Sequence, residues 1–386
     1  MKSIINVGAD VHKDSFSLCA VNPATGEIID ERVTNSDAKA IKRFIESVVS
    51  NHPDLADREF VVGYEAGCLG YSLARSLIEL GISCRILATS TMKVTAKNKI
   101  KKNDHMDAQM IAANMNDPQC KQIYIPSKDD EAMVNYVRCL DDLQKMLKSC
   151  KQQIKALILR LGKTKEFDGK HTWTIKFIKW LRELELDEVN REVLDEYLEE
   201  YDHLTDHISR MLAKLEEKSK GEKYNDRVKK LGCFKGIAMK TAMVMIINTC
   251  DFDRFPTANS YASYLGLTPG EQDSGGNHNG TGITKMGNSH MRNAMIEAVN
   301  ACIRSQAGHK SKALQARQKG MDSEVVSYAD KGSDRIIRKF NKLIRRGLPR
   351  AKAITACARE LACFVWGMMT GHIYLSCWEM KRKGIN

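Results

Sequence analysis

Two apolar runs near the start of the chain each close on an acid, and this pattern narrows the possible folds more than any other feature. Ile4-Ile5-Asn6-Val7-Gly8-Ala9 ends at Asp10, and Phe60-Val61-Val62-Gly63-Tyr64 ends at Glu65, with Gly67 and Gly70 stopping the second run. Continuous apolar stretches of this length read as strands buried on both faces. An acid at the end of such a strand sits on a rigid platform at the edge of a core. Asp104 and Asp107 follow, three residues apart at the opening of a helical stretch, so their carboxylates share one face. Magnesium takes hard oxygen ligands and usually keeps several waters, leaving room for a phosphate. Two such ions can flank a scissile phosphate, one serving the nucleophile and one the leaving oxygen. The four acids therefore predict a Mg²⁺ site of the two-metal type and phosphodiester chemistry on nucleic acid.

The elements around these acids support a layered α/β unit. Ser15 to Val21 continues the strand pattern, Asn22-Pro23-Ala24-Thr25-Gly26 makes a turn, and Glu27 to Thr34 returns as its hairpin partner. Ala38–Val49 and Tyr71–Leu80 read as amphipathic helices, Cys84–Leu87 as a short buried strand, and Asp107–Met115 as a helix. Three strands, then helix and strand in alternation with acids at strand ends, suggest a ribonuclease H-like fold over residues 1–125. A helical region, 126–224, is expected next. Asp129–Leu161 carries an apolar stripe from Val134 to Leu147, and Trp180–Glu217 is a strongly charged second helix. The two could form an antiparallel coiled coil, although the heptads are irregular; a solvated bundle is an equal alternative.

Residues 225–386 form the expected third part, mainly helical. Val228 to Ala242 resembles a helix-hairpin-helix element, with Ala238 where that motif commonly has its second glycine. Then Gly270, Gly275, Gly276, Gly280 and Gly282 crowd around Ser274. Such glycine density permits close approach of backbone to ligand, so a hydroxyl shown there could reach a phosphate.

Charge narrows the partner. The chain of 386 residues has 60 Lys and Arg against 48 Asp and Glu, a net charge of +12, which favours a polyanion but says little about fold. Lys93, Lys97, Lys99, Lys101 and Lys102 lead into Asp104 with no acid among them, and Arg335–Lys352 holds eight basic residues and no acid. Such runs repel themselves unless anions sit nearby, so Arg335, Arg338, Lys339, Lys342, Arg345 and Arg346 are expected to contact nucleic acid, as are Lys285 and Arg292 beside the serine loop. The twelve cysteines show no CxxC pair and read as reduced, mostly buried thiols of a cytoplasmic protein. No secretory leader pattern opens the chain. Leu361–Leu375 is interrupted by Gly367, Gly371 and His372 and falls short of the ~20 apolar residues that span a bilayer; a core helix is expected, with no membrane partner.

Taken together, the motifs resemble a known family, the DEDD-type transposases of bacterial insertion sequences, which include the pilin-gene invertase and whose studied members use a bridge RNA. The resemblance rests on Gly8-Ala9-Asp10-Val11-His12-Lys13, Tyr64-Glu65-Ala66-Gly67 and Lys102-Asn103-Asp104-His105-Met106-Asp107-Ala108 in the first part. In the last part it rests on Tyr264-Leu265-Gly266-Leu267-Thr268-Pro269, Asp273-Ser274-Gly275-Gly276, and Gly282 to Asn288 leading to Arg292. It covers nearly the whole chain. It implies a RuvC-like N-terminal domain, a coiled-coil connector and a C-terminal transposase domain. It further implies four Mg²⁺-binding acids, a serine nucleophile at Ser274 forming a phosphoserine link to DNA, donor and target DNA with a structured guide RNA as partners, and dimers assembling into a tetramer.

Competing readings attach to single residues. Asp104 could cap its helix, and Ser289, just before another helix, reads as a cap rather than a rival nucleophile. Asp14 is given a structural role. His203 and His207 are four apart but read as solvated surface, and His105 should point away from the face its neighbouring acids share. Two other functions remain open: a metal-dependent junction nuclease in which water attacks, and a nucleic-acid-binding protein without chemistry.

Overall fold

The computed structural model describes the backbone of residues 4–67, 69–93, 104–274 and 277–373, with side chains throughout except at 271–281. The chain splits into two compact units, residues 1–125 and 126–386.

In the first unit, β1 (Ile4–Val11), β2 (Ser15–Val21), β3 (Ile28–Asn35), β4 (Glu59–Glu65) and β5 (Ser83–Leu87) form one sheet in the order β3-β2-β1-β4-β5. The first three strands run as an antiparallel meander, and β4 and β5 lie parallel to β1. Three antiparallel strands followed by two parallel ones is consistent with a ribonuclease H-like domain. Strand alternation sends Ile5, Val7, Ala9 and Val11 to one face. There they join Ile41, Phe44 and Val48 of α1 (Ala38–Asn51) and Leu73 and Leu77 of α2 (Ser72–Glu79) in one core. The other face takes α3 (Asp104–Asn114), whose Ile111 packs with Val61 and Met115.

The second unit opens with two long helices, α4 (Lys128–Arg160) and α6 (Glu188–Ser219), separated by the short α5 (Ile175–Glu183). The Tyr136 hydroxyl donates to the Met211 carbonyl and the Cys150 thiol to the Tyr197 carbonyl, so the long helices run antiparallel. Trp180 therefore belongs to α5 and not to the second long helix. The break falls where Asp187 accepts from the Asn190 amide and caps α6 afresh.

The rest of this unit is helical around one large core: α7 (Asn225–Gly232), α8 (Met239–Thr249), α9 (Ala258–Tyr264), α10 (Ser289–Cys302), α11 (Lys312–Gln318), α12 (Ser323–Arg345) and α13 (Arg350–Met369). A hairpin of β6 (Pro269–Ser274) and β7 (Asn277–Ile283) stands on it. α13 buries Ala353, Cys357, Leu361 and Val365, as a core helix does, and among the described residues no helix is long and apolar enough to cross a membrane. The ten described cysteines are all free thiols. The α7–α8 hairpin is buried. The Lys235 amide donates to Ser333 Oγ, the Lys235 ammonium binds Asp334 at 2.7 Å, and Gly236 sits against Ala298. Both donors of Lys235 are thus engaged within the unit.

Candidate metal centre

Close packing of α3 on the sheet assembles the acids. A Cβ built on Gly8 would lie 2.1 Å from the Ala108 carbonyl oxygen and 2.6 Å from the Ala112 amide. Glycine alone lets the helix come this near, and Asn6 holds it there by donating from Nδ2 to the Ala112 carbonyl at 3.1 Å. Asn6, Gly8 and Asp10 share this face of β1. The parallel ladder pairs Ala9 with Tyr64, so the next residues, Asp10, one short of the end of β1, and Glu65, the last of β4, lie side by side. Asp104 and Asp107 occupy the first turn of α3, where the positive end of the helix dipole favours anions.

The electrostatics follow from this crowding. Asp10 is 6% exposed, and burial pushes its carboxyl above the usual range. The negative charges of Asp107 and Asp104 push the same way, while His12 opposes them. The His12 imidazole lies with Nε2 3.1 Å from Asp10 Oδ2 and 3.9 Å from Asp104 Oδ1. The ligand atoms of Asp10, His12 and Asp104 all fall within 4.8 Å of one another. A buried carboxylate beside further acids is a donor set that a hard divalent cation would relieve, so the residues fit such an ion. The tight cluster contains Asp10 and Asp104 of the expected four; Glu65 stands beside Asp10 through the ladder, and Asp107 acts on Asp10 through its charge.

His12 was not singled out as a site residue from sequence, although the signal was there. In an extended chain residues two apart face the same side, so a DxH at a strand end carries both side chains to one place. Asp14 is exposed in the β1–β2 turn, and His105 is exposed on α3. His203 and His207 lie side by side on α6, their ring centroids 6.1 Å apart, and belong to no metal-binding group among the described residues.

Ser274 is the last residue of β6, opposite Asn277; its side chain, and Gly275 and Gly276, lie outside the described residues. The base of its hairpin is clamped. The Thr284 amide donates to the Thr268 carbonyl and the Lys285 amide to the Gly266 carbonyl. A Cβ on Gly266 would meet the Met286 carbonyl oxygen at 2.2 Å, and one on Gly287 the Tyr264 carbonyl oxygen at 2.1 Å, so two chain segments touch backbone to backbone here. Arg292 donates from Nη1 to the carbonyls of Gly287 and Leu265 at 2.9 and 3.3 Å, which makes it a brace for the hairpin. Asn288, not Ser289, caps α10, accepting from the amides of His290 and Met291 while its Nδ2 donates to Asn248. Ser289 is instead the first helical residue.

The basic runs also look different in space. Lys93 pairs with Asp117 at 2.7 Å, and Lys97, Lys99, Lys101 and Lys102 lie outside the described residues. On α12, Arg335 and Lys339 both reach Glu360 of α13. The stretch without acids in sequence thus meets one from the next helix. Arg338, Asn341, Lys342, Arg345 and Arg346 are left exposed, lining one shallow groove of about 470 Å³. Lys285 is exposed at the hairpin base with φ +56°.

Comparison with known proteins agrees with these two regions. A family model described as "Transposase", that of the DEDD transposases of IS110, matches residues 7–162. A second, described as "Transposase IS116/IS110/IS902 family", matches residues 228–314. Together they take in more than half of the chain. The chain is 29% identical over 350 residues to the transposase for insertion sequence element IS1533 of Leptospira borgpetersenii, covering 89% of this chain and 97% of that one. It is 22% identical over 347 residues to the transposase for insertion sequence element IS1111A of Coxiella burnetii, covering 86% and 88%.

Proposed function

The chain belongs to the IS110 family of DEDD transposases, and from that premise we propose that it cuts and rejoins DNA through a serine–DNA intermediate. Asp10, Glu65, Asp104 and Asp107 hold Mg²⁺, and Ser274 is the nucleophile. The observation that carries the reading is Asp10, a carboxylate buried at the end of the central strand with Asp104 brought to within ligand distance of the same point. When bound, the ions supply activation of the attacking hydroxyl and stabilisation of the departing oxygen.

Ser274 Oγ forms a bond to the scissile phosphorus while the bond from phosphorus to one strand's oxygen breaks. The serine proton leaves to a base, and the released strand end takes one up as a hydroxyl. Because the phosphodiester is exchanged and not hydrolysed, the hydroxyl of another strand can attack it and restore the serine without ATP. The clamp built by Gly266, Gly287 and Arg292 fixes the base of the hairpin that presents this hydroxyl.

Donor and target DNA and a structured bridge RNA are the proposed partners, with dimers pairing into a tetramer and residues 126–224 serving as a coiled-coil connector before a C-terminal domain of 225–386. These assignments follow the family resemblance. Nucleic-acid backbone contacts are assigned to Arg338, Lys342, Arg345, Arg346 and Lys285, and to Lys97, Lys99, Lys101 and Lys102, which precede Asp104 in the sequence. The test is recombination by the protein with its RNA, donor and target in Mg²⁺. Asp10→Asn should give no cut strands, and Ser274→Ala none either. Cut strands with free ends from Ser274→Ala would mean that water attacks and that the protein is a nuclease.

A further inference from the structure

We propose that His12 is a nitrogen ligand of the metal held by the acid quartet, so that the centre is a mixed nitrogen–oxygen site open to first-row transition ions as well as Mg²⁺. The inference rests on the metal-binding role proposed for the quartet and adds to it a ligand and a metal class.

The turn after β1 places His12 beside Asp10. The chain leaves β1 at Val11, and the His12 amide donates to the Ser15 carbonyl at 3.1 Å, closing the β1–β2 turn. The imidazole lies on the side of Asp10 that faces α3, against Asp10 and Asp104. Its Nε2 lies 3.1 Å from Asp10 and 3.9 Å from Asp104. An octahedral ion with bonds of about 2.1 Å sets neighbouring ligands roughly 3 Å apart and opposite ones roughly 4.2 Å apart. The 3.1 Å separation is that of neighbouring ligands; the 3.9 Å one lies between the two values and the third falls within 4.8 Å, so small side-chain movements would close the shell on an ion.

His12 is within hydrogen-bond distance of Asp10, whereas Asp104 at 3.9 Å meets it only by charge. Nε2 carries at most one hydrogen, and Asp10 takes it. Asp104 then stands near the same nitrogen with no hydrogen bond to make. A cation in place of that proton satisfies all three groups. The His12 and Asp104 side chains are 55% and 61% exposed against 8% for Asp10, so the cluster is anchored on one side and open to water and phosphate on the other. Open positions are what a catalytic centre needs.

The chemical consequence is metal choice. A site of carboxylates and water suits Mg²⁺, Ca²⁺ and Mn²⁺, whereas an imidazole extends it towards Co²⁺, Ni²⁺ and Zn²⁺.

The test uses the full-length protein loaded with Mn²⁺ alone and read by pulsed electron paramagnetic resonance. The expected result is a ¹⁴N modulation in the wild type that changes when the protein carries ¹⁵N-histidine and vanishes in His12→Ala and His12→Gln. Those variants should still bind Mn²⁺ through the acids, roughly tenfold or more weakly. The labelling arm needs no substitution, so a folding defect in a variant does not spoil it. Mn²⁺ bound by the wild type without nitrogen coupling overturns the role of His12 and leaves the quartet standing. Coupling that survives in both variants overturns it too, because another histidine is then the ligand. Failure of the wild type to bind Mn²⁺, or equal binding by Asp10→Asn, overturns the quartet itself.

Discussion

Replacing Gly8 with alanine should cost activity out of proportion to the single methyl added. That methyl would stand 2.1 Å from the Ala108 carbonyl oxygen and 2.9 Å from the Ala112 Cβ, where ordinary contact begins at 3.4 Å. The obstacle is helix backbone and cannot turn aside, so α3 must retreat by about 1 Å, an overpacking that typically costs about 1–3 kcal/mol. Asp104 and Asp107 ride on the first turn of that helix and retreat with it. A displacement of about 1 Å in a catalytic group costs on the order of 100-fold in rate. Gly63→Ala is the control on the same face: its methyl would meet Met115 at Sδ, 2.5 Å away, the movable end of a flexible side chain. Chemical denaturation, Mn²⁺ binding and strand cleavage measured on both variants decide the matter. The account expects the Gly8 variant to be folded but weak in metal binding and cleavage, with the Gly63 variant much nearer wild type. Wild-type cleavage by Gly8→Ala, or the greater loss in Gly63→Ala, would refute the view that close helix packing assembles the acids.

Two further outcomes follow from charge. Burial, with Asp107 and Asp104 adding to it, raises Asp10 above its unfolded value of 3.8. The folded protein therefore binds that proton more tightly, and the contribution of Asp10 to metal-free stability should fall as pH rises from 3.8 through the raised value, then level off. In chelator, Asp10→Asn should remove this fall and be the more stable protein at neutral pH; a variant less stable than wild type there contradicts the assignment. On α12, Arg338→Ala, Lys342→Ala and Arg345→Ala should each lessen the salt dependence of DNA binding, by about 0.9 in the log–log slope per lost phosphate contact. Arg335→Ala, whose partner is Glu360, should leave that slope alone, and equal slopes for all four would sink the division of this helix into two faces.

Much of the first unit was legible because its signals are local. Period-2 and period-3.6 patterns mark strands and helices, and an acid at a strand end announces itself in one short window. What escaped was whatever depends on residues far apart in sequence. Glu360 pairs with both Arg335 and Lys339 from another helix, and Asp117 pairs with Lys93, so counting acids along a run missed the partners these cations have. Gly8 could be read as part of a motif, but its reason is a helix about a hundred residues later that needs the space. The cap of α10 was misplaced by one residue because Asn288 and Ser289 are both good caps, and Asn248, distant in sequence, engages the first. His12 was readable in principle, two residues after Asp10 on the same face, yet only the distances from Nε2 to both acids turn it into a ligand.

The central claim, that the acid quartet serves a serine carried on the β6–β7 hairpin, meets its most direct test in the reaction itself. Protein, bridge RNA, donor and target DNA are incubated with Mg²⁺, stopped in denaturant, and the DNA-linked peptide is identified by mass spectrometry. The account predicts a phosphodiester link between DNA and Ser274, absent from Asp10→Asn and from Ser274→Ala. An adduct on another residue, or recombinant product from Ser274→Ala, would contradict it.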